Sequence, residues 1–449
     1  MYSFSSFKAY DIRGIYGKEI DEELAYLVGK ALPNFLNANT IAIGSDARTS
    51  SPSLKNSLIK GINESGASVL DLGLVTTPML NFAIVNNNLN CGVMVSASHN
   101  PPEYNALKIV ASDALQLSRS SGLLDIKKII EQKAFVKINS EVVENKSLNI
   151  LDDYLKHILS NFSIKNKVKV IADFGNGMGA ISAIPCYLKI EQLDAKYLYK
   201  EIDCTFPNHM TDPDKLENMQ KIMEEVKTNK VDLGIFFDGD ADRCYFIDET
   251  GEVVLADIAF CLLVEEELKK ETKFSKQVYY DLRFSKEIKN VIEKNGGTPV
   301  MMRVGNPFYK EKMNKEGGLV ASEFSGHIMY AQNFGIDDGL FASLKMIEIL
   351  SNYQKPLSTL IQKYKTYFSE PEIIIKIDKK NIDLIFKKLR EKYYDGEEII
   401  LDGLYIQYPS WWFNIRKSNT EAVVRLRIEA ETRETLHLQK NEILNIINS

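Results

Sequence analysis

Ser96-Ala97-Ser98-His99-Asn100 packs two hydroxyls, an imidazole and a carboxamide into five residues, and Lys108 follows soon after. A serine in such a loop could act as a nucleophile, with His99 to handle a proton and Lys108 to hold an anion. Val93 to Val95, just upstream, is a short apolar run of the kind a buried parallel strand gives. Pro101-Pro102 stops any simple continuation as strand or helix. In open α/β sheets, loops at the carboxyl ends of strands are where ligands bind. Taken alone, Ser-x-Ser-His-Asn-Pro has no self-evident mechanism and reads as a turn of residues that favour turns.

A second constellation is Asp238-Gly239-Asp240-Ala241-Asp242-Arg243, after the apolar run 231–237. Carboxylates at i, i+2 and i+4 converge on one side of an extended loop. They repel unless neutralised, and an all-oxygen set suits Mg²⁺ or Mn²⁺. An EF-hand opens with the same Asp-x-Asp-x-Asp, and Glu249 stands at its twelfth position. Its sixth position must be glycine, however, and here it is Arg243. Two further stretches are ambiguous on residues alone. Glu323-Phe324-Ser325-Gly326-His327 is a polar turn by spacing. Arg416-Lys417-Ser418-Asn419-Thr420-Glu421, followed by Arg425, is either a surface hairpin or a phosphate cradle built on the bidentate fork of arginine. The glycine loop after Asp173 lacks both G-x-G-x-x-G and the Walker lysine, so it reads as a structural turn.

The elements that must position these loops follow a βαβ rhythm. Strands are expected at 39–43, 67–72, 167–172, 231–237, 278–283, 300–304 and 318–321, with helical spacing at 54–62 between the first two. Three apolar strands empty into Ser98, Asp238 and Glu323, which fits three related α/β domains facing one cleft. Near Tyr367 the pattern changes to strands at 371–378 and 423–430 and helices at 381–393 and 435–447, a small α+β domain. The expected units are 1–145, 146–251, 252–366 and 367–449, reasonable for 449 residues. A net charge of −6 argues against nucleic acid as a main partner. Five cysteines without a C-x-x-C pair indicate neither zinc nor a disulfide framework. With no signal-peptide core and no membrane-length apolar run, a cytoplasmic location is expected. Oligomeric state is not legible.

Four of these stretches, in this order, resemble the motifs of the α-D-phosphohexomutases, in particular the phosphomannomutase/phosphoglucomutase branch. Ser98-His99-Asn100-Pro101 resembles the family's phosphoserine loop, and Asp238, Asp240 and Asp242 its metal ligands. Glu323-x-Ser325-Gly326-His327 resembles its sugar loop, and Arg416 to Glu421 its phosphate loop. Tyr10-Asp11-Ile12-Arg13-Gly14 is similar to its N-terminal signature. Departures are Ser96 for Thr, Ala106 and Ser322 for Gly, Asn306 for His, and Ala422 for Pro. Asn419, where phosphoglucosamine mutases usually have Gly, favours the mannose/glucose branch.

The resemblance implies a mutase acting on sugar phosphates through phospho-Ser98 and a hexose 1,6-bisphosphate, with Mg²⁺ on Ser98, Asp238, Asp240 and Asp242. Arg13, Lys108 and Arg243 would absorb charge, and His99 or Lys108 would serve as general base. Arg283, Arg303, Glu323, Ser325, His327, Arg416, Ser418, Asn419, Thr420 and Arg425 would bind substrate. The alternatives are a phosphoglucosamine mutase and a non-catalytic sugar-phosphate binder.

Overall fold

In the computed structural model, residues 4–138, 143–377, 379–417 and 423–448 are described. Ser418, Asn419 and Thr420 lie outside them. Among the described residues four sheets follow one another along the chain. The first is mixed, with Ile12–Ile15, Tyr104–Ala111, Cys91–Val95, Thr40–Ser45, Ser68–Leu74 and Lys146–Ser147 side by side and Leu115–Gln116 beside Tyr104–Ala111. The second runs Val253–Val254, Cys244–Asp248, Leu233–Phe237, Val168–Asp173 and Leu193–Leu198. The third runs Thr298–Met302, Gln277–Asp281, Val320–Ser322 and Ile328–Tyr330. This is the expected α/β series, with a C-terminal α+β unit after it.

The central strands are apolar because helices cover both faces. Cys91–Val95 and Leu233–Phe237 are buried at every position. Each large side chain so enclosed contributes about 1.5–3 kcal/mol of transfer free energy. Helix Gly339–Tyr353 belongs to the third unit in sequence but packs on the second sheet, and its Ser343 hydroxyl meets the Tyr187 hydroxyl at 2.7 Å. One hydrophobic cluster therefore runs through all three units, from Met94 through Phe237 to Leu344.

The fourth sheet is larger than the two expected strands. Val423–Ala430 sits beside Trp411–Lys417, then Leu404–Gln407 and Glu397–Ile399, with Phe368–Ser369 and Ile373–Lys376 on its other side. The missed strands are short or carry aromatic side chains without clean alternation. Val424, Leu426, Ile428 and Ala430 face this domain's own core against helices Ile382–Lys392 and Arg433–Asn448. By the two-residue period, Arg425, Arg427 and Glu429 share the opposite face. Among the described residues, no helix is long and apolar enough to cross a membrane.

Candidate active site

Strand Cys91–Val95 delivers residues 96–100 to the edge of the cleft. Ser98 sits there at φ +51, in the left-handed region that non-glycine residues seldom take. Its Oγ donates to Asp238 Oδ2 at 2.8 Å and lies 3.2 Å from His99 Nδ1. The Arg243 guanidinium also donates to His99 Nδ1. A nitrogen that accepts from arginine carries a lone pair, so His99 is neutral with its proton on Nε2. Burial, and after it the charge of Arg243, pushes the His99 pKa well below its ordinary value. Arg13 donates to the Ala97 carbonyl at 3.1 Å and to the Asn100 side chain, with Asp11 accepting from its Nη2 at 2.6 Å. It belongs to the cleft rather than to a surface ion pair. Ala106 lies in an ordinary antiparallel register opposite Arg13, so its β-carbon causes no conflict.

Residues 238–243 leave strand Leu233–Phe237 directly beneath this loop. A β-carbon on Gly239 would lie 2.3 Å from the Ser98 carbonyl oxygen, so only glycine lets the two loops meet. The glycine turn after Asp173 props the acidic loop, with Met178 N donating to Gly239 O at 2.9 Å. Lys108 Nζ donates to Asp240 Oδ2 at 2.6 Å and to Asp242 Oδ2 at 3.0 Å. Burial opposes its charge, but these two carboxylates outweigh that and hold its pKa above the ordinary range. Arg243 Nη2 donates to Asp238 Oδ2 at 2.8 Å. Oxygens of the three aspartates lie within 4.8 Å of one another. Asp240 Oδ1 and Asp242 Oδ1 are buried without a hydrogen-bond partner among the described residues. Buried carboxylate oxygens gathered beside a serine hydroxyl, Asp240 Oδ1 among them without a partner, suit a hard divalent cation, so the triad could hold a metal ion.

The sugar-loop residues come from the third unit. Arg243 and His327 form a backbone bridge that joins this unit to the second. His327 Nδ1 lies 2.9 Å from Ser325 Oγ and 3.4 Å from Glu323 Oε2, and its Nε2 lies 3.5 Å from Asp242 Oδ1. Burial would lower its pKa, but Asp242 and Glu323 outweigh burial and raise it to about 10. The imidazolium ties the sugar loop to the acidic loop. Gly305 N donates to Glu323 Oε1 at 2.9 Å. Arg283 forks onto Asp281 at 2.8 and 2.6 Å and lies 3.8 Å from Glu323. Arg303 is exposed over the Phe308 ring, 4.3 Å from its centroid. Asn306 donates to Asp337 Oδ2 at 2.5 Å. Ser322 is buried at the end of its strand, paired with Ile328.

Arg416 and Arg425 are register partners on neighbouring strands of the fourth sheet. Arg416 Nη2 donates to Glu372 Oε1 at 2.8 Å, and Arg425 Nη1 to Glu372 Oε2 at 3.1 Å.

A cavity of about 220 Å³ brings together Arg13, Ser98, His99, Lys108, Asp242, Arg243, Glu323 and His327, with Tyr10 and Asn306 on its wall. Arg283, Arg303, Arg416 and Arg425 do not line it. A larger groove of about 540 Å³, between Asp113 and Phe334, shares no residue with it and contains none of these groups. Sequence reasoning overlooked Thr77, whose N–H donates to Asp240 O at 3.1 Å and whose hydroxyl donates to the Asp240 carboxylate. Thr76-Thr77-Pro78 signals only a helix start. Glu372 and Asp337 were also overlooked, and no local signal marks either.

Comparison with known proteins identifies the family of the chain. The chain matches family models for phosphoglucomutase/phosphomannomutase: alpha/beta/alpha domains I, II and III at residues 5–137, 152–251 and 256–367, and the C-terminal domain at 376–446. It is 35% identical over 437 residues to a phosphomannomutase/phosphoglucomutase of Pseudomonas syringae pv. tomato, covering 96% of this chain and 92% of that one. It is 34% identical over 446 residues to a phosphomannomutase of Methanocaldococcus jannaschii, covering 98% and 97%. The crystal structure of a phosphoglucomutase/phosphomannomutase family protein from Burkholderia thailandensis superposes with a TM-score of 0.90 at 29% identity, covering 99% and 97%. With four domains matched in order and relatives similar over nearly its whole length, the chain belongs to the phosphoglucomutase/phosphomannomutase family of the α-D-phosphohexomutase superfamily, isomerase-class hexose phosphate mutases.

Proposed function

We propose that this chain interconverts hexose 6-phosphates and hexose 1-phosphates of mannose and glucose, through phospho-Ser98 and a hexose 1,6-bisphosphate. The observation that carries the reading is Ser98 Oγ set 2.8 Å from one of three enclosed carboxylates, with Lys108, Arg13 and Arg243 around them. Phosphoryl transfer demands positioning and charge neutralisation more than covalent chemistry, and this cluster is built for both. Mg²⁺ held by Asp238, Asp240, Asp242 and an oxygen on Ser98 would neutralise charge on the phosphoryl group.

Each unit, taken as 1–145, 146–251, 252–366 and 367–449, contributes one loop. Arg243, Lys108 and Arg13 absorb charge on the transferring group. His99 is the candidate proton carrier, since its Nδ1 lies 3.2 Å from Ser98 Oγ and is free to take a proton once Arg243 turns from it to a bound phosphoryl group. Lys108 stays an ammonium and holds the acidic loop. Glu323, Ser325 and His327 orient the sugar, with Arg283 and Arg303 at the margin. Arg416 and Arg425, with Ser418, Asn419 and Thr420, take the non-reacting phosphate. The bisphosphate then turns, and its other phosphate returns to Ser98. The names of the relatives support mannose and glucose as the sugars, as does Asn419 in place of glycine.

The test is isomerisation of mannose, glucose and glucosamine phosphates, primed with glucose 1,6-bisphosphate, alongside mass spectrometry. Turnover of the first two, phosphate on Ser98, and an inactive but folded Ser98→Ala variant are expected. Phosphate on Ser96 with an active Ser98→Ala would overturn the assignment. Faster turnover of glucosamine phosphate would move the chain to the other branch.

A further inference from the structure

The left-handed backbone of Ser98 needs something to hold it. The carbonyl oxygens of Ser98, Asn100, Pro101 and Tyr104 all turn inward toward one point, an arrangement of dipoles that repel unless a donor meets them. Arg48 occupies that point. Its Nη2 donates to Ser98 O at 2.8 Å and to Asn100 O at 2.6 Å. Its Nη1 donates to Pro101 O at 2.6 Å and to Tyr104 O at 3.0 Å. Its Nε donates to Asp46 Oδ2 at 3.2 Å, so all five guanidinium N–H groups are placed.

The side chain is 1% exposed and does not line the cavity. Phe206, from the second unit, roofs the guanidinium with its ring centroid 5.4 Å away. Gly239 of the acidic loop presses on the same Ser98 carbonyl that Arg48 holds. A buried ion pair with Asp46 alone would explain burial and charge. It would not explain why four of five donors go to the carbonyls of one loop. Lysine, with three donors on a point charge, cannot reproduce that fork.

We propose that Arg48 is a positioning residue that sets the backbone of the Ser98 loop and thereby aims Ser98 Oγ at Asp238 and the cleft. The proposal rests on the reading of Ser98 as phosphoryl carrier. Arg48 acts on the transfer step and not on sugar-phosphate binding, since Glu323, Ser325 and Arg416 are held by other contacts.

The experiment uses full-length Arg48→Lys enzyme incubated with glucose 1,6-bisphosphate, with the phosphate on Ser98 quantified by mass spectrometry. Single-turnover transfer from phospho-Ser98 to a hexose phosphate is then timed. Transfer per phosphorylated site should fall roughly a hundredfold, as misplacing a reacting group by about 1 Å does. KM should stay within about threefold, because ground-state binding is untouched. Wild-type transfer per phosphorylated site, with only a lower melting temperature, would overturn the proposal and leave Arg48 a stability residue. Should Arg48→Lys fail to fold, Phe206→Leu loosens the roof and should slow transfer about fivefold, an effect on the order of 1 kcal/mol. An unchanged transfer rate there would equally overturn it. Wild-type enzyme that takes no phosphate on Ser98 would instead remove the phosphoserine reading, and this proposal with it.

Discussion

At the junction of the first three units, Asp238, Asp240 and Asp242 are enclosed and already met by Ser98, Lys108, Arg243 and His327. In the C-terminal unit, Arg416 and Arg425 converge on the single carboxylate of Glu372, which the proposed phosphate would have to share or displace. The cores differ in the same way. One hydrophobic cluster runs through the first three units, beside a further core within the first, whereas the fourth has only its own and reaches the third through Leu282, Tyr405 and Trp412. The groups proposed to do the chemistry stand on units that share one hydrophobic cluster. The groups proposed to grip the remote phosphate stand on a separately cored domain, for which relative motion is the default expectation. The proposed bisphosphate, held by either end in turn, would call for that division.

Removing one acidic ligand should break the first half of that comparison most severely. Asp240→Asn should cut kcat by at least about a hundredfold, because it removes an anionic ligand where developing charge is managed. EDTA should silence the wild type and Mg²⁺ should restore it, measured as steady-state isomerisation. Full activity in metal-free buffer would sink this side of the comparison.

The grip should fail more gently. A charge-assisted phosphate contact is worth about 1.5–3 kcal/mol, so Arg416→Ala should cost roughly tenfold to a hundredfold in kcat/KM. The loss belongs mainly in KM, since this phosphate is bound alike in ground and transition states. The variant should also require added hexose 1,6-bisphosphate to stay active. An unchanged KM without that requirement would make the strand end a plain surface hairpin.

The seat of the fourth domain sharpens the contrast with a pH signature. Glu429 accepts from Lys286 N of the third unit across the interface and from Trp412 Nε1 of its own unit, each at 2.9 Å. Burial raises its pKa to about 7 from the ordinary 4.5, although those donors oppose the shift. Folded protein therefore holds this proton more tightly than unfolded chain. The stability it contributes is full below about 4.5 and is lost as the pH rises through about 7, about 3 kcal/mol in all. Glu429→Gln should flatten melting temperature against pH between 5 and 7, with the smallest effect on kcat of the three changes. An undiminished slope in the variant would mean another group seats the domain.

The loops at the ends of apolar strands were legible from the chain because burial on both faces leaves continuous apolar runs, and the motif residues follow them directly. The three aspartates stood out that way, whereas Ser98 and Glu323 read as polar turns until the resemblance to the phosphohexomutases singled them out. The extra strands of the fourth sheet were not legible, because Glu397–Ile399 and Leu404–Gln407 are short and gain stability only by pairing with Trp411–Lys417. No local signal in the sequence marks Arg427. Folded, it donates to Arg283 O at 3.4 Å, and Arg283 and Arg427 lie 5.2 and 4.9 Å from the ring of Phe324, inside the sugar loop.

The amino-acid sequence by itself determined which groups could react and the order of the units that carry them, since both are written in residue types at short spacing. Tertiary structure alone decided which groups hold those residues in place. Thr77 meets Asp240 across 163 positions, Arg48 meets the Ser98 carbonyl across 50, and Arg427 meets the Arg283 carbonyl across 144. A guanidinium or hydroxyl looks the same in a chain whether it faces water or a buried carbonyl. Only tertiary packing, within a unit or between units, removes the water and leaves one partner within reach.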